Sequence, residues 1–155
     1  MPEIQAFFDR VVKVNLQSPV AALRQEAIKG LALAAIMRRV FLNVGNENQE
    51  IANQFSSLLL CMVLEEDEDM EVQCCAIEGL TDITIVYGDM KQSPDQDSEM
   101  GVSLQEILES LNAYVFHSNE RLQWIACEAI CKLFLFDKTR SILSLSNLIL
   151  LYEVI

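Results

Sequence analysis

Five cysteines and one histidine are the residues of this chain that could bind a metal or act as nucleophiles. Cys127 and Cys131 lie one helical turn apart, but a zinc site needs two further ligands at suitable spacing, and the chain has no second cysteine pair of zinc type. All five cysteines fall in predicted helices among apolar neighbours, which is typical of reduced core thiols in a cytosolic or nuclear protein. The sequence therefore predicts no metal and no cofactor. The other three cysteines are Cys61, Cys74 and Cys75.

The residue types that catalysis needs are not arranged as in an active site. Neither a GxxxxGK[ST] nor a GxGxxG segment is present to hold a phosphate. His117, the only histidine, is predicted in a turn, which argues against a Ser–His–Asp or Cys–His arrangement. Adjacent acids such as Glu65 and Glu66 are typical of a solvated turn. We predict that the protein is not an enzyme and has no small-molecule substrate.

The formal net charge is -12, and it is unevenly distributed. Residues 1–40 hold six basic and three acidic side chains, residues 41–120 hold one and seventeen, and residues 121–155 hold four and three. The chain as a whole is therefore no polycation that would enclose nucleic acid, and any phosphate contact would come from its two ends.

Two small basic clusters are the candidates for contacts with a DNA backbone. Lys132, Lys138 and Arg140 form one cluster, and Arg38 and Arg39 form the other. A phosphate-binding groove needs several aligned Lys or Arg side chains, and ordinary surface charge accounts for both clusters as well. We expect the chain alone to bind DNA weakly if at all.

Two further residues could serve a partner protein or a modifying enzyme. Trp124 lies about 200° around its predicted helix from Ala126, opposite the apolar stripe, where it could anchor a partner chain; the alternative is burial against the next repeat. Ser93 precedes a proline in a polar, acidic loop, where a proline-directed kinase could reach it, although an unused serine is the simpler interpretation.

These side chains must be positioned by helices that repeat along the chain. The central helix spans Glu71 to Gly88, with an apolar stripe at helical spacing, an acidic turn before it and a glycine at its end. Ala27, Ala76 and Ala126 mark the repeat at offsets of 49 and 50 residues, as expected for a repeat array. Leu23, Ala27, Gly30 and Leu31 correspond to Val72, Ala76, Gly79 and Leu80, and to Leu122, Ala126, Ala129 and Ile130.

Small residues inside these stripes predict close helix packing. Glycine inside a helix costs about 1 kcal/mol relative to alanine, so Gly30 and Gly79 are both expected to let a neighbouring helix approach. Equivalent positions should then stack into columns along the array. Neither column of polar residues is a basic track: one contains Lys29, Glu78 and Glu128, and the other contains Arg24, Gln73 and Gln123.

The sequence predicts one all-α domain over residues 1–155, an α-solenoid of about three and a half helix pairs. Ser103 and Glu106 form a capping-box pattern at the start of the third pair. The acidic segment 89–102 has no period and is predicted to be a disordered or mobile loop. The pairs cover roughly residues 3–37, 48–87 and 103–136, with a half-pair at 141–155, and a connection at 38–48.

The last predicted helix is apolar on almost every side. A terminal repeat needs a polar outer face, so we expect either a fragment of a longer protein or an end that packs on another copy. No apolar stretch reaches the ~18 residues of a membrane span, and the N-terminal segment lacks the pattern of a signal peptide.

The helix pairs resemble HEAT repeats, and their order resembles the C-terminal HEAT region of condensin's kleisin-binding HEAT-repeat subunit family over roughly residues 4–152. VQCCAIEGLTDITIVYG, an acidic insert and IACEAICKLFLFDKTRSILSLSNLILLY follow one another as in that family. Glu128, Lys132 and Leu133 match its third element, and the run from Leu145 to Tyr152 matches its fourth. The chain departs from the family at Ala129-Ile130 and after Tyr152.

The resemblance implies a non-catalytic scaffold subunit of condensin, a chromosome-associated non-SMC subunit that binds the kleisin chain and works with SMC ATPase subunits in mitotic chromosome condensation. DNA would be contacted through the complex, and the protein would reside in the nucleus and on chromosomes with a cytoplasmic pool. Two alternatives are a HEAT or armadillo adaptor of another pathway, such as transport or trafficking, and a free-standing helical homodimer.

Overall fold

The computed structural model describes residues 8–37, 39, 45–64, 69–88 and 102–154, and these residues form helices without any strand. The prediction of an all-α fold is confirmed. A π-helical turn, Phe8–Val12, leads into α1 (Lys13–Leu16), which is followed by α2 (Ala21–Met37), α3 (Gly45–Leu64), α4 (Met70–Tyr87), α5 (Leu104–Val115), α6 (Glu120–Leu135) and α7 (Ile142–Val154).

The helices pack in two layers. Helices α2, α4 and α6 lie side by side in one layer, while α3, α5 and α7 form the other. Within each pair the two layers meet, α3 against α4 and α5 against α6. Helix α4 touches α2, α3 and α6, and this central position explains why its side chains are buried on nearly every side. The arrangement is a helical-repeat fold.

Gly79 lies at a close approach of two helices. A Cβ atom built on Gly79 would lie 3.3 Å from the Cβ of Ala32 and 3.4 Å from a methyl of Leu59. The prediction of a packing role is therefore confirmed for Gly79. It is wrong for Gly30, which is exposed and has no atom within 4 Å of such a Cβ, because the face of α2 that carries it packs on no described helix.

The column of Arg24, Gln73 and Gln123 holds the two helices of each pair together. Gln73 donates from Nε2 to the carbonyl of Val63 at the end of α3 (3.3 Å), and Gln123 donates to that of Val115 at the end of α5 (2.8 Å). The guanidinium of Arg24 donates to the Ser18 carbonyl after α1 (2.6 Å). The last carbonyls of a helix lack partners within it, so each glutamine satisfies one of them, while Arg24 binds a carbonyl beyond the end of α1.

Side-chain caps fix where the helices begin. Asp69 caps α4 by accepting from the backbone N–H groups of Glu71 and Val72 (3.0 and 3.4 Å). The predicted capping box of α5 is confirmed: the Ser103 hydroxyl accepts from the Glu106 N–H (3.2 Å), and the Glu106 carboxylate accepts from the Ser103 N–H (2.7 Å).

Three details differ from the sequence prediction. Helix α3 already begins at Gly45, inside the predicted connection 38–48. Val102, placed in the mobile loop, is buried in the core, while residues 89–101 lie outside the described part of the chain. The apolar spacing of α3 in the sequence also predicts that Leu58 faces inward, but Leu58 is 39% exposed because it lies at the edge of the buried stripe of Phe55, Leu59 and Met62.

Polar contacts attach α7 to α5. The Asn112 side chain donates to the buried hydroxyl of Ser144 and accepts from the side-chain amide of Asn147, both at 2.9 Å. Leu148 and Leu151 pack against the core beside them. None of the described helices is both long and apolar enough to cross a membrane.

Candidate functional site

An open groove of about 190 Å³ lies between α2 and α4. Its wall is apolar along Ala32, Leu33 and Ile36 of α2, and Gly79 lets the two helices approach at its base. The groove therefore offers apolar contact area on the exposed side of the α2/α4/α6 layer. Lys29, Cys75, Glu78 and Asp82 complete its lining.

Carboxylates dominate the charge along this layer. At its two ends Lys29 pairs with Glu26 (2.8 Å) and Lys132 pairs with Glu128 (2.9 Å), and these contacts raise the pKa of both lysines. In the middle, Glu78 and Asp82 make no ion pair with any residue that the structure describes, so the layer carries excess negative charge.

Burial affects the pKa of Asp82. It raises the pKa of the Asp82 carboxyl above its ordinary value of 3.8, the nearby ammonium of Lys132 opposes the shift, and the carboxylate of Glu128 adds to it. A half-buried carboxylate that faces an apolar groove is a favourable partner for a basic side chain, because pairing offsets its lost hydration.

Among the described candidates for DNA contact, two basic side chains are paired with carboxylates. Lys132 pairs with Glu128, and Arg140 pairs with Asp137 (3.2 Å), so neither charge is uncompensated. Lys138 follows Asp137 in the same turn. The guanidinium of Arg39 lies over the ring of Tyr87, 5.7 Å from its centroid, and Arg38 lies outside the described residues.

The cysteines divide into buried and exposed thiols. Burial raises the pKa of Cys74 to about 11 and also raises the pKa values of Cys75 and Cys127, which keeps these thiols protonated at neutral pH. The prediction that all five are core thiols is wrong for Cys61 and Cys131, because both lie on outward-facing sides of their helices. No three His, Cys, Asp or Glu side chains of the described residues are close enough to hold a metal ion.

Three further residues were singled out by their sequence context: Trp124, His117 and Ser93. Trp124 is 69% exposed, so the alternative of burial against the next repeat is wrong within the described chain, and its role as a partner anchor stays a prediction. His117 lies in the turn before α6, where its Nδ1 accepts from the Asn119 N–H (3.0 Å). Ser93 lies outside the described residues.

The sequence did not predict the groove. It also did not predict that Gln73 and Gln123 hold the two helices of each pair together. A groove depends on how two distant helices pack, which the sequence does not express. The glutamines did leave a signal, since Gln73 and Gln123 interrupt apolar stripes at the same repeat position.

We compared the chain with known protein families. Residues 1–153 match the family described as nuclear condensing complex subunits, C-terminal domain. No curated protein and no solved structure matches the chain at a significant level. Because the family match covers nearly the whole sequence, the chain belongs to the nuclear condensing complex subunits and carries their C-terminal domain.

Proposed function

We propose that this chain is a non-catalytic HEAT-repeat scaffold of condensin, which binds the kleisin subunit and thereby contributes to mitotic chromosome condensation. The family match over residues 1–153 carries the proposal. In this proposal the ATPase activity belongs to the SMC subunits, and the protein works in the nucleus and on chromosomes, with a cytoplasmic pool.

The groove between α2 and α4 is the proposed docking site for a kleisin segment. Its apolar wall would take aliphatic side chains, and Glu78 with Asp82 would take a basic one. Charge complementarity of this kind selects a partner and speeds its association. The proposed kleisin segment is therefore apolar and basic.

We propose that DNA binds to the condensin complex as a whole and that this chain alone binds DNA only weakly. The net charge of -12 repels phosphate, and the ion pairs of Lys132 and Arg140 reduce the charge that those side chains could offer. A steep salt-dependent affinity of the isolated chain for duplex DNA would contradict this part of the proposal.

Binding to labelled kleisin segments from the same organism, followed by fluorescence anisotropy at two salt concentrations, tests the proposal. We expect saturable binding that survives moderate salt. The double variant Glu78→Lys/Asp82→Lys should weaken it at least tenfold, because it places two cations where a basic side chain docks. The matched control Glu109→Lys/Glu153→Lys makes the same charge change at exposed positions on α5 and α7 and should bind normally.

Two outcomes count against the proposal. If no kleisin segment binds saturably, the scaffold assignment to this chain fails. If both double variants weaken binding equally, the effect comes from overall charge, and the groove is not the docking site.

A further inference from the structure

The groove between α2 and α4 has a direction, because the two helices that form it run the same way. Gly79 of α4 lies against Ala32 of α2. Tyr87, two turns further along α4, donates its hydroxyl hydrogen to the carbonyl of Ala35, further along α2 (2.8 Å). The residues that line the groove can therefore be placed in order along one axis.

The two ends of this axis carry opposite charges. Lys29 lies before the close approach at Gly79 and pairs with Glu26 (2.8 Å). Asp82 lies beyond that approach, with Glu78 one turn before it on the same helix. Neither of these two carboxylates makes an ion pair with a residue that the structure describes. A basic side chain in the groove is therefore disfavoured beside Lys29 and favoured beside Asp82.

Apolar surface faces Asp82 across the groove. Leu33 of α2 is the repeat equivalent of Asp82, 49 positions earlier, and Ile36 lies on the same wall three residues further along. Leu33 is 58% exposed, so it offers its surface to the methylene stem of a long side chain. The group that fits the acidic end of the groove has an aliphatic stem and a positively charged head.

We infer that the acidic end of the groove holds one arginine side chain of the docked segment, with its stem on Leu33 and Ile36 and its guanidinium between Glu78 and Asp82. The inference deepens the proposed docking site and rests on it. Arginine fits better than lysine because Asp82 is half-buried, and a guanidinium is more weakly hydrated than an ammonium and loses less on leaving water. Its planar fork of N–H donors also suits two carboxylates that lie one helical turn apart.

The chain's own cations do not neutralise this end of the groove. Lys132 of α6 acts on Asp82 from the other side of α4, but its ammonium is bound to Glu128 (2.9 Å). The surface around the groove holds four carboxylates and two ammonium groups, which leaves two negative charges: Glu26, Glu78, Asp82 and Glu128 against Lys29 and Lys132. A single guanidinium would offset half of this excess.

Nα-acetyl-arginine amide is the probe, because only its side chain is charged and no kleisin segment is needed. Titrated into the full chain labelled with nitrogen-15, it should shift the NMR amide signals of Gly79 and Asp82 saturably. The lysine counterpart should need about threefold more or higher for the same shift, because its ammonium is held more strongly by water. The citrulline counterpart has nearly the same shape without the charge and should give no saturable shift.

Variants of the chain show where the probe binds. Asp82→Asn should abolish the saturable shift of Gly79, and Leu33→Ser should weaken it by removing the apolar wall. The control Glu109→Gln removes an exposed carboxylate on α5 and should leave the shift intact. The inference is overturned if arginine gives no saturable shift, if arginine and lysine bind equally, or if binding persists in Asp82→Asn.

A kleisin segment that binds the chain provides the link to docking. Exchange of its arginines for citrulline, one at a time, should reveal one position that loses at least tenfold in affinity, and Asp82→Asn should remove that difference. A segment that binds equally well after every exchange would overturn the inference while the proposed function stands. Selective binding of the arginine probe without any kleisin binding would support the arginine site and count against kleisin alone.

Discussion

At the scale of single residues, the two repeat glycines separate packing from helix propensity. Gly30→Ala should raise the free energy of unfolding by about 0.5–1 kcal/mol, because glycine is a poor helix former and its new methyl meets no atom. Gly79→Ala gains the same propensity but sets a methyl 3.3 Å from Ala32, so its net gain should be clearly smaller or negative. Urea unfolding of both variants measures the difference. Equal gains in the free energy of unfolding would show that the α2/α4 contact can accommodate the added methyl group.

The raised pKa of the Asp82 carboxyl gives the folding stability an unusual dependence on pH. Its pKa is raised in the folded protein, so the folded state binds this proton more readily than the unfolded chain does. The contribution to stability is therefore fully present below the ordinary value of 3.8 and is lost as the pH rises through the raised pKa. Carboxylates with depressed pKa values behave in the opposite way.

Asp82→Asn should remove this pH-dependent loss. We expect the free energy of unfolding at pH 7 to rise by less than about 1 kcal/mol, because the group is only half-buried and keeps part of its hydration. The gain over the natural chain should shrink to nothing below the ordinary carboxyl pKa. Denaturant unfolding across pH measures it, with Glu109→Gln as a control that removes an exposed carboxylate away from the groove. A constant difference at all pH values would trace the effect to packing.

At the scale of helices, one carbonyl joins three elements. The Val63 carbonyl near the end of α3 accepts from Gln73 of α4 and from the hydroxyl of Tyr114 of α5. Either donor can satisfy this buried group alone. Gln73→Leu and Tyr114→Phe should therefore each cost about 1 kcal/mol, whereas the double variant should cost more than their sum, because the carbonyl then has no partner. A double-mutant cycle measured by urea unfolding tests this, and strict additivity would mean that water replaces both donors.

The helices also show which features of this structure can be predicted from the sequence. Apolar stripes and caps are local, so the helices and the Ser103–Glu106 capping box could be predicted from spacing alone. The exposure of Gly30 could not, because it depends on whether a neighbour covers that face of α2. Lys132 and Glu128 lie one helical turn apart, so their ion pair could have been predicted from the spacing. The predicted DNA contact instead treats Lys132 as a free positive charge.

The candidate groove illustrates the same limit. Glu78 and Asp82 lie one turn apart on α4, which the sequence shows, but the apolar wall beside them comes from α2. Ala32 and Asp82 are far apart in the sequence and line the same groove because α2 and α4 approach closely at Gly79. Helix positions follow from periodicity, whereas surfaces shared by two helices require the packing itself.

At the scale of the whole molecule, the two-layer packing predicts an uneven distribution of stability. Helix α4 contacts α2, α3 and α6, and Leu80 at its centre is 1% exposed. Helix α7 contacts α5, and it leaves Ile142, Ile149 and Tyr152 exposed. In repeat proteins, stability is close to a sum of units and nearest-neighbour contacts, so a helix with fewer neighbours opens more easily.

Native-state hydrogen exchange should resolve this difference. Amides of α7 should exchange through a local opening of lower free energy, and those of α4 only through global unfolding. Asn112→Ala removes the contacts to Ser144 and Asn147 and should lower protection in α7 by about 1–2 kcal/mol while α4 keeps its own. Leu80→Ala should instead lower protection in α4 by about 2–5 kcal/mol, because a cavity in the central helix weakens every contact it makes. If Asn112→Ala reduced protection in α4 as much as in α7, the array would unfold as one cooperative unit, and α7 would be as integral to it as the central helix.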